Sequence, residues 1–353
     1  MMMGAPVGPS IWVVSDGRAG IERQAVAIAR ALGDLDRWPK IAHIRSDAHR
    51  AEPIRIDPQP PQVMLPPDMW PAPLAALPTA QRAQFKAPWP DVWIGSGRRA
   101  VPYSMRVRNW SDGKTLVVQT QDPRVSLDTF DLVVPPEHDE VSGPNVLSTR
   151  GAPAFFPADE IEEALLQFGA LADEPGRKVA VILGGTSKTH AMPEKRAAEI
   201  EAVLRKLAGA GDRLWITVSR RTPEHARIRF RSMADQVGAR YWESEAVDGP
   251  NPYLAYLAMA DVALVTEDSA NMLSEIAFFG TPAYLINLPG QSDKFDRLHE
   301  SFIDCGAARW FEGRVETWEY ERIREVDRVA DKIVDLLLER HPQPDFVDAP
   351  ELS

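Results

Sequence analysis

Apolar residues along this chain fall in short runs, each followed by a polar or glycine-rich loop and then by a stretch of helical spacing. Residues 261–289, DVALVTEDSANMLSEIAFFGTPAYLINLP, give the fullest example. Residues 262–265 form a run short enough for one buried strand, and Thr266, Glu267, Asp268 and Ser269 form a polar cluster after it. A helical pattern covers 271–279, Gly280 stands at its C′ position, and 283–288 make a second apolar run. This is strand, loop, helix and strand, the building unit of a parallel sheet. Ser269 or Asp268 is placed to cap the helix. Its unbonded N–H groups and positive dipole end then face the carboxyl edge of the sheet, where α/β proteins bind anions. Glu275 lies inside the helix, too far from its start to cap it.

The pattern recurs on both sides of a junction within 146–156. In the first half, strands are predicted at 11–14, 91–94, 115–118 and 130–134, with helices at 21–32 and 101–108. The strand exits read SDGRAG, GSGRR, QTQDPR and PPEHD, and place Asp16 and Arg18 at the end of the first strand. Residues 51–90 are dominated by proline, which removes a donor and fixes φ, so an irregular connection with a short helix near 74–85 is expected. Met69 and Trp70 within it either pack the loop or form a lipid- or partner-facing patch. His138 has no second histidine at a supporting spacing and reads as a solvated loop residue, not a zinc ligand. In the second half a helix is predicted at 158–171 and strands at 178–183, 214–218 and 241–243, with helices at 193–207, after Pro223 and at 252–259. A last helix, 319–340, carries Ile323, Val326, Val329, Ile333, Leu336 and Leu337 on one stripe, the mark of a core face. The expected architecture is α/β with Rossmann-like domains at 1–155 and 156–319, a helix at 320–340 returning to the first, and a flexible tail at 341–353.

Composition narrows the function. A length of 353 residues favours two cores over one. A formal charge of −11 argues against a nucleic-acid partner, although arginines cluster at 98–108 and 220–231. The single cysteine, Cys305, leaves no internal disulfide framework and suits a reducing compartment. The first ten residues lack the basic and apolar regions of a signal peptide, and no run of about 18 apolar residues offers a membrane span. A cytoplasmic location follows, with peripheral membrane or protein contacts left open.

Three exits in the second half converge on one chemistry. GGTSKT supplies Gly184, Gly185, Thr186, Ser187 and Lys188; SRRT supplies Ser219, Arg220 and Arg221; TEDSAN supplies Thr266, Glu267, Asp268, Ser269 and Asn271. Backbone N–H groups, hydroxyls and cations suit a pyrophosphate, and a carboxylate such as Glu275 suits a ribose diol. The set reads as a nucleotide-diphosphate site. GGTSK departs from the G-x-x-x-x-G-K-[ST] pattern, so an NTPase is not indicated.

The ordered motifs SDGRAG, IGSGRR, VVQTQDPR, FDLVVPPEHD, ILGGTSKTH, SRRTP, TEDSANMLSEIAFFGTPAYLI and SDKF resemble the elongated-mitochondria fission protein family of plants and its bacterial relatives. The likeness runs from about residue 11 to 311. It implies a GT-B glycosyltransferase-like fold, two Rossmann-like domains facing a cleft. Residues 261–289 also resemble the nucleotide-sugar half of the muramyl-lipid N-acetylglucosaminyltransferases. That likeness gives Glu275 the ribose role with Ser269 and Asn271 nearby, and makes Gly184, Gly185 and Thr186 the donor-domain glycine loop. Those transferases carry a histidine in the first loop as base, and SDGRAGIERQ has none. Asp16 or Glu22 takes the role, or the chain is a non-catalytic adaptor that keeps the fold. The transferase reading needs no cofactor beyond a nucleotide-diphosphate sugar as donor. It involves no metal, although Glu267 and Asp268 offer carboxylates for a divalent ion, and its acceptor is unspecified. A sugar-nucleotide epimerase fits less well, since the dinucleotide glycine fingerprint and a Tyr-x-x-x-Lys pair are absent.

Overall fold

The computed structural model describes residues 8–34, 37–44, 50 and 52–342. The chain divides into two compact units: Met1–Pro135, Val141–Ser148 and Val326–Ser353 in one, Pro136–Glu140 and Thr149–Glu325 in the other. The opening residues 1–7 and the expected tail from 343 onward lie outside the described residues.

In the first unit the elements run β1 (Ile11–Ser15), α1 (Ala19–Leu32), α2 (Trp38–Ile41), β2 (Ile54–Arg55), α3 (Thr79–Arg82), β3 (Val92–Ser96), α4 (Val101–Trp110), β4 (Leu116–Thr120) and β5 (Leu132–Val134). The five strands are parallel in the order β2-β1-β3-β4-β5. Every residue of β3 and β4 is buried, the condition that makes parallel strands read as nearly unbroken apolar runs. The proline-rich segment folds as 3₁₀ turns at Gln62–Met64, Pro67–Met69 and Pro73–Ala76. Met69 and Trp70 part company there. Trp70 is buried and meets Tyr103 edge-on with ring centres 6.2 Å apart, whereas Met69 is 61% exposed. Trp70 therefore belongs to the core and not to a surface patch.

The second unit continues with α5 (Ala158–Phe168), β6 (Lys178–Leu183), α6 (Glu194–Gly209), β7 (Arg213–Val218), α7 (Glu224–Val237), β8 (Arg240–Trp242), α8 (Glu245–Asp248) and α9 (Tyr253–Met259). It ends with β9 (Val262–Thr266), α10 (Ala270–Phe279), β10 (Ala283–Ile286), α11 (Asp293–Asp304) and β11 (Ala308–Trp310). Its sheet is also parallel, in the order β11-β10-β9-β6-β7-β8. One core holds Val181, Leu204 and Phe230; the other, on the opposite residues of the same strands, holds Ile182, Leu257, Ile276 and Phe302. A sheet with apolar residues packed on both faces is the doubly wound arrangement.

The last helix, α12 (Glu325–Arg340), starts later than its periodicity suggests. Tyr320 and Ile323 pack against the second unit's core, and the Tyr320 hydroxyl donates to the Thr281 carbonyl at 3.2 Å. Those contacts override local helix propensity over 319–324. The helix itself joins the first unit. Arg37 pairs with Asp327 at 3.0 Å and Asp331 at 2.8 Å, and Arg340 pairs with Asp131 at 2.6 Å.

Candidate functional site

Counted from β6, the second sheet has the nucleotide-binding order: two further strands to one side and three to the other. The reversal falls between β6 and β9, so the loops after these strands diverge and leave a crevice above their carboxyl ends. The structure joins the exits by hydrogen bonds. Gly184 N–H donates to Thr266 Oγ1 at 2.7 Å, Thr266 Oγ1 donates to Asp268 Oδ1 at 2.7 Å, and Gly185 N–H donates to Asp268 Oδ2 at 3.1 Å. Arg221, from the loop after β7, pairs with Asp268 Oδ2 at 2.8 Å, and Thr186 N–H donates to the Arg221 carbonyl at 3.1 Å. Gly184, Gly185, Thr186, Arg221, Thr266 and Asp268 thus form one network. A Cβ on Gly184 would stand 2.1 Å from the Asp268 carboxylate, and one on Gly185 would stand 2.2 Å from the Arg221 carbonyl. The glycines make room for the protein's own carboxylate, and their N–H groups are spent on internal partners.

Thr222, which sequence reasoning left out of the candidate set, is the hub of the SRRT exit. It is buried, its hydroxyl points to the carbonyls of Leu183 and Gly184, and it accepts the Ser219 N–H at 3.0 Å. The spacing Ser-x-x-Thr was the available signal, since a hydroxyl three residues on can close such a turn. Ser219 Oγ in turn accepts the Arg221 N–H at 3.1 Å.

Glu267 and Asp268 face different partners. Glu267 is buried, with Oε1 accepting from the Leu288 N–H and, at 3.0 Å, from Asn287 Nδ2. Burial raises its pKa above the ordinary carboxylate value, against the opposing pull of the Leu288 N–H. His299, also buried, places Nε2 3.0 Å from the Glu267 carbonyl and Nδ1 3.9 Å from Glu267 Oε2. Desolvation lowers the His299 pKa. Among the described residues no group of three or more His, Cys, Asp or Glu side chains is arranged to hold a metal ion.

Ser269, not Asp268, caps α10, accepting the Met272 N–H at 3.4 Å. Asn271 follows in the first turn, partly exposed. Glu275 is buried at 3% exposure, and its Oε2 accepts the Tyr253 hydroxyl at 2.6 Å. Exposed around the exits are Lys188, Arg220 and Arg221, with Ser187 partly exposed. Lys188 and Arg220 have no ion-pair or hydrogen-bond partner among the described residues.

In the first unit Asp16 lies on a cavity wall with its side chain 3% exposed. Arg18 grips it through Nε, 3.1 and 3.0 Å from the two carboxylate oxygens, and through Nη2 at 2.6 Å. Glu22 lines a different cavity and is bound by Arg55 at 2.7 Å, which holds its pKa below the ordinary carboxylate value. That depresses its basicity. His138, expected in a solvated loop, is instead buried in a 3₁₀ turn beside α11. The Arg297 guanidinium donates to its carbonyl at 3.1 Å, and Lys294 bonds to neighbouring Asp139 at 2.5 Å.

These features define a GT-B-like fold of two Rossmann-like units, each with a reversal in its strand order. The chain belongs to the mitochondrial fission ELM1 family, whose sequence model, described as Mitochondrial fission ELM1, matches residues 19–337. It is 27% identical over 281 residues to the mitochondrial fission protein ELM1 of Arabidopsis thaliana, covering 71% of this chain and 65% of the plant protein's length. It is 25% identical over 365 aligned residues to Uncharacterized protein RP120 of Rickettsia prowazekii (strain Madrid E), covering 92% of this chain and 97% of that protein. Among solved structures, the UDP-GlcNAc 2-epimerase of Methanocaldococcus jannaschii in complex with UDP-GlcNAc and UDP is similar at a TM-score of 0.52 and 12% identity. That match covers 94% of this chain and 99% of that one. The likeness is one of fold. Among the described residues no helix is long and apolar enough to cross a membrane.

Proposed function

We propose that the second unit binds a nucleotide-diphosphate sugar over the carboxyl ends of β6 and β9. The observation that carries this reading is the cationic character of the exits after β6 and β7: Lys188 stands on the first, Arg220 and Arg221 on the second, and Arg221 is tied to Asp268 just before the Ser269-capped start of α10. Cations and a helix N-terminus suit a diphosphate, and they act there without moving far. Glu275 is the ribose ligand in this reading, exchanging its bond to Tyr253 for a sugar hydroxyl. As a glycosyltransferase, the protein would pass the sugar to an acceptor hydroxyl. The acceptor oxygen bonds to the anomeric carbon, its proton passes to a general base, and the nucleoside diphosphate leaves with the bonding pair; Asp16 is the base that this reading puts to the test.

A second reading is favoured by one observation: both Asp16 oxygens are held by Arg18. A carboxylate so engaged is a ligand for a cation before it is a base, which suits an adaptor that binds a nucleotide without turnover.

Thermal shift against UDP-GlcNAc, UDP and GDP tests the pocket. UDP and UDP-GlcNAc come first because the epimerase of similar fold holds them. Stabilisation that vanishes in the double variant Lys188→Ala/Arg220→Ala supports it, since these exposed side chains have no structural bonds to lose. At 100 times Kd the ligand adds about 2.7 kcal/mol. A flat response to all three at millimolar concentration would sink the reading. Nucleoside diphosphate release, together with a check for epimerised donor, then separates enzyme from adaptor. Transfer requires release that falls in Asp16→Asn, and the adaptor requires none.

A further inference from the structure

The first unit has a site of its own. In the order β2-β1-β3-β4-β5 the neighbours of β1 lie on opposite sides, so the loops after β1 and β3 part above the sheet. A cavity of about 550 Å³ lies there. Asp16 and Arg18 come from the first loop, Arg98 and Arg99 from the second. The loops are joined by the Asp16 N–H on the Ser96 carbonyl at 3.3 Å and by close packing of the Asp16 carboxylate on Gly97. Gly97 has φ +84°, and a Cβ there would stand 2.4 Å from the carboxylate. The facing wall is apolar and comes from the proline-rich segment, with Leu65 and Trp70 in it.

Charge and apolar surface meet at this opening. Three guanidinium groups face it against one carboxylate, on a chain of net charge −11. Arg18 is committed to Asp16, and Arg99 is paired with exposed Asp57 at 3.2 Å. Arg98 is exposed and has no hydrogen-bond or ion-pair partner among the described residues. The wall is fixed: Trp70 is 3% exposed, its indole N–H donates to the Leu65 carbonyl at 3.3 Å, and Arg106 donates to the Trp70 carbonyl at 3.3 Å. In the 3₁₀ turns that supply this wall, Met64 is 81% and Met69 61% exposed, and Leu65 between them is 39% exposed. The other large exposed apolar side chains among the described residues, Leu166, Ile228, Val247 and Trp310, are scattered along the second unit, so this group of three is a local feature.

From this juxtaposition we infer that the first unit binds a phosphate-bearing amphiphile, its phosphate on Arg98 and Arg99 and its aliphatic chain along Leu65 toward Met64 and Met69. The guanidinium fork matches phosphate oxygens. The volume is that of a small-molecule site, far larger than a phosphate ion needs. Flexible methionines suit an aliphatic chain, and Trp70, being buried, offers no open face on which a base would stack. This site is in the other unit from the proposed nucleotide pocket and stands whether or not that pocket binds.

Calorimetric titration of the full chain with dihexanoyl phosphatidic acid tests it, beside inorganic phosphate and dihexanoyl phosphatidylcholine. The phosphatidic acid is expected to bind at least about tenfold more tightly than either control, because only it joins the phosphomonoester to the chains. Arg98→Ala is expected to weaken it about tenfold, and Met64→Ser/Met69→Ser to reduce it toward inorganic phosphate. No heat with phosphatidic acid, equal binding of phosphatidylcholine, or an affinity unchanged in Arg98→Ala each overturns the site. Sedimentation with vesicles containing long-chain phosphatidic acid identifies the source. Co-sedimentation lost in Arg98→Ala marks a bilayer lipid; short-chain binding without sedimentation marks a dissolved amphiphile, and either result keeps the site.

Discussion

His138 is held neutral by its surroundings. Burial lowers its pKa to about 4, and the Lys294 ammonium lowers it further than neighbouring Asp139 raises it. Between that value and the ordinary 6.5 the unfolded chain binds a proton at this ring that the folded chain refuses. The ring's contribution to stability is therefore complete above about pH 6.5 and is lost as pH falls toward 4. His299, also lowered by burial, acts in the same direction, whereas Glu267, raised by burial, loses its contribution as pH rises past 4.5. A comparison of wild type with His138→Asn isolates the one ring. Urea unfolding at pH 7.5 and pH 5 is expected to show wild type losing more stability on acidification than the variant. Equal losses would remove His138 from the acid response.

Along β6 and α10 the same loop chemistry has two strengths. Gly185→Ala drives a methyl group to 2.2 Å from the Arg221 carbonyl, and backbone cannot swing aside as a side chain can. The expected cost is about 1–3 kcal/mol or more. Ser269→Ala removes one capping bond, at a long 3.4 Å, and is expected to cost nearer the low end of roughly 0.5–2 kcal/mol. Urea midpoints at constant slope check the ranking, and a Gly185→Ala no worse than Ser269→Ala would contradict the packed exit. Much of this was legible in sequence, because 179–183 in β6, 262–265 in β9 and 283–286 in β10 are unbroken apolar runs and Gly280 closes α10 in the left-handed region at φ +77°. What escaped had no local signal. β11 buries only Ala308 of its three residues, and β2 is two residues long on the sheet's edge. Tyr253 meets Glu275 across two helices, a contact no spacing encodes, and the inward turn of Glu267 and Asp268 depends on loops far away in sequence. A polar cluster after a strand announces an exit; it does not tell which side chains face outward.

At the scale of the whole chain, the first unit is closed by a helix that follows the entire second unit in sequence. Val326, Val329, Ala330, Ile333, Val334 and Leu337 are buried along α12, and Asp327 and Asp331 bind Arg37, whose side chain is only 11% exposed. Burying such a stripe is worth on the order of several kcal/mol, a sizeable part of what a domain has to spare. Removing 325–353 would leave that apolar surface uncovered and Arg37 without both carboxylates, yet it takes little from the second sheet, whose strands end at Trp310. Hydrogen exchange on the truncated chain is therefore expected to show lost protection in β1, β3 and β4, with β6, β7 and β9 retaining theirs. Protection retained throughout would mean that α12 is not needed by the first unit. Loss in both sheets would mean that the units do not hold their stability separately, and a cut after 148 would then free neither.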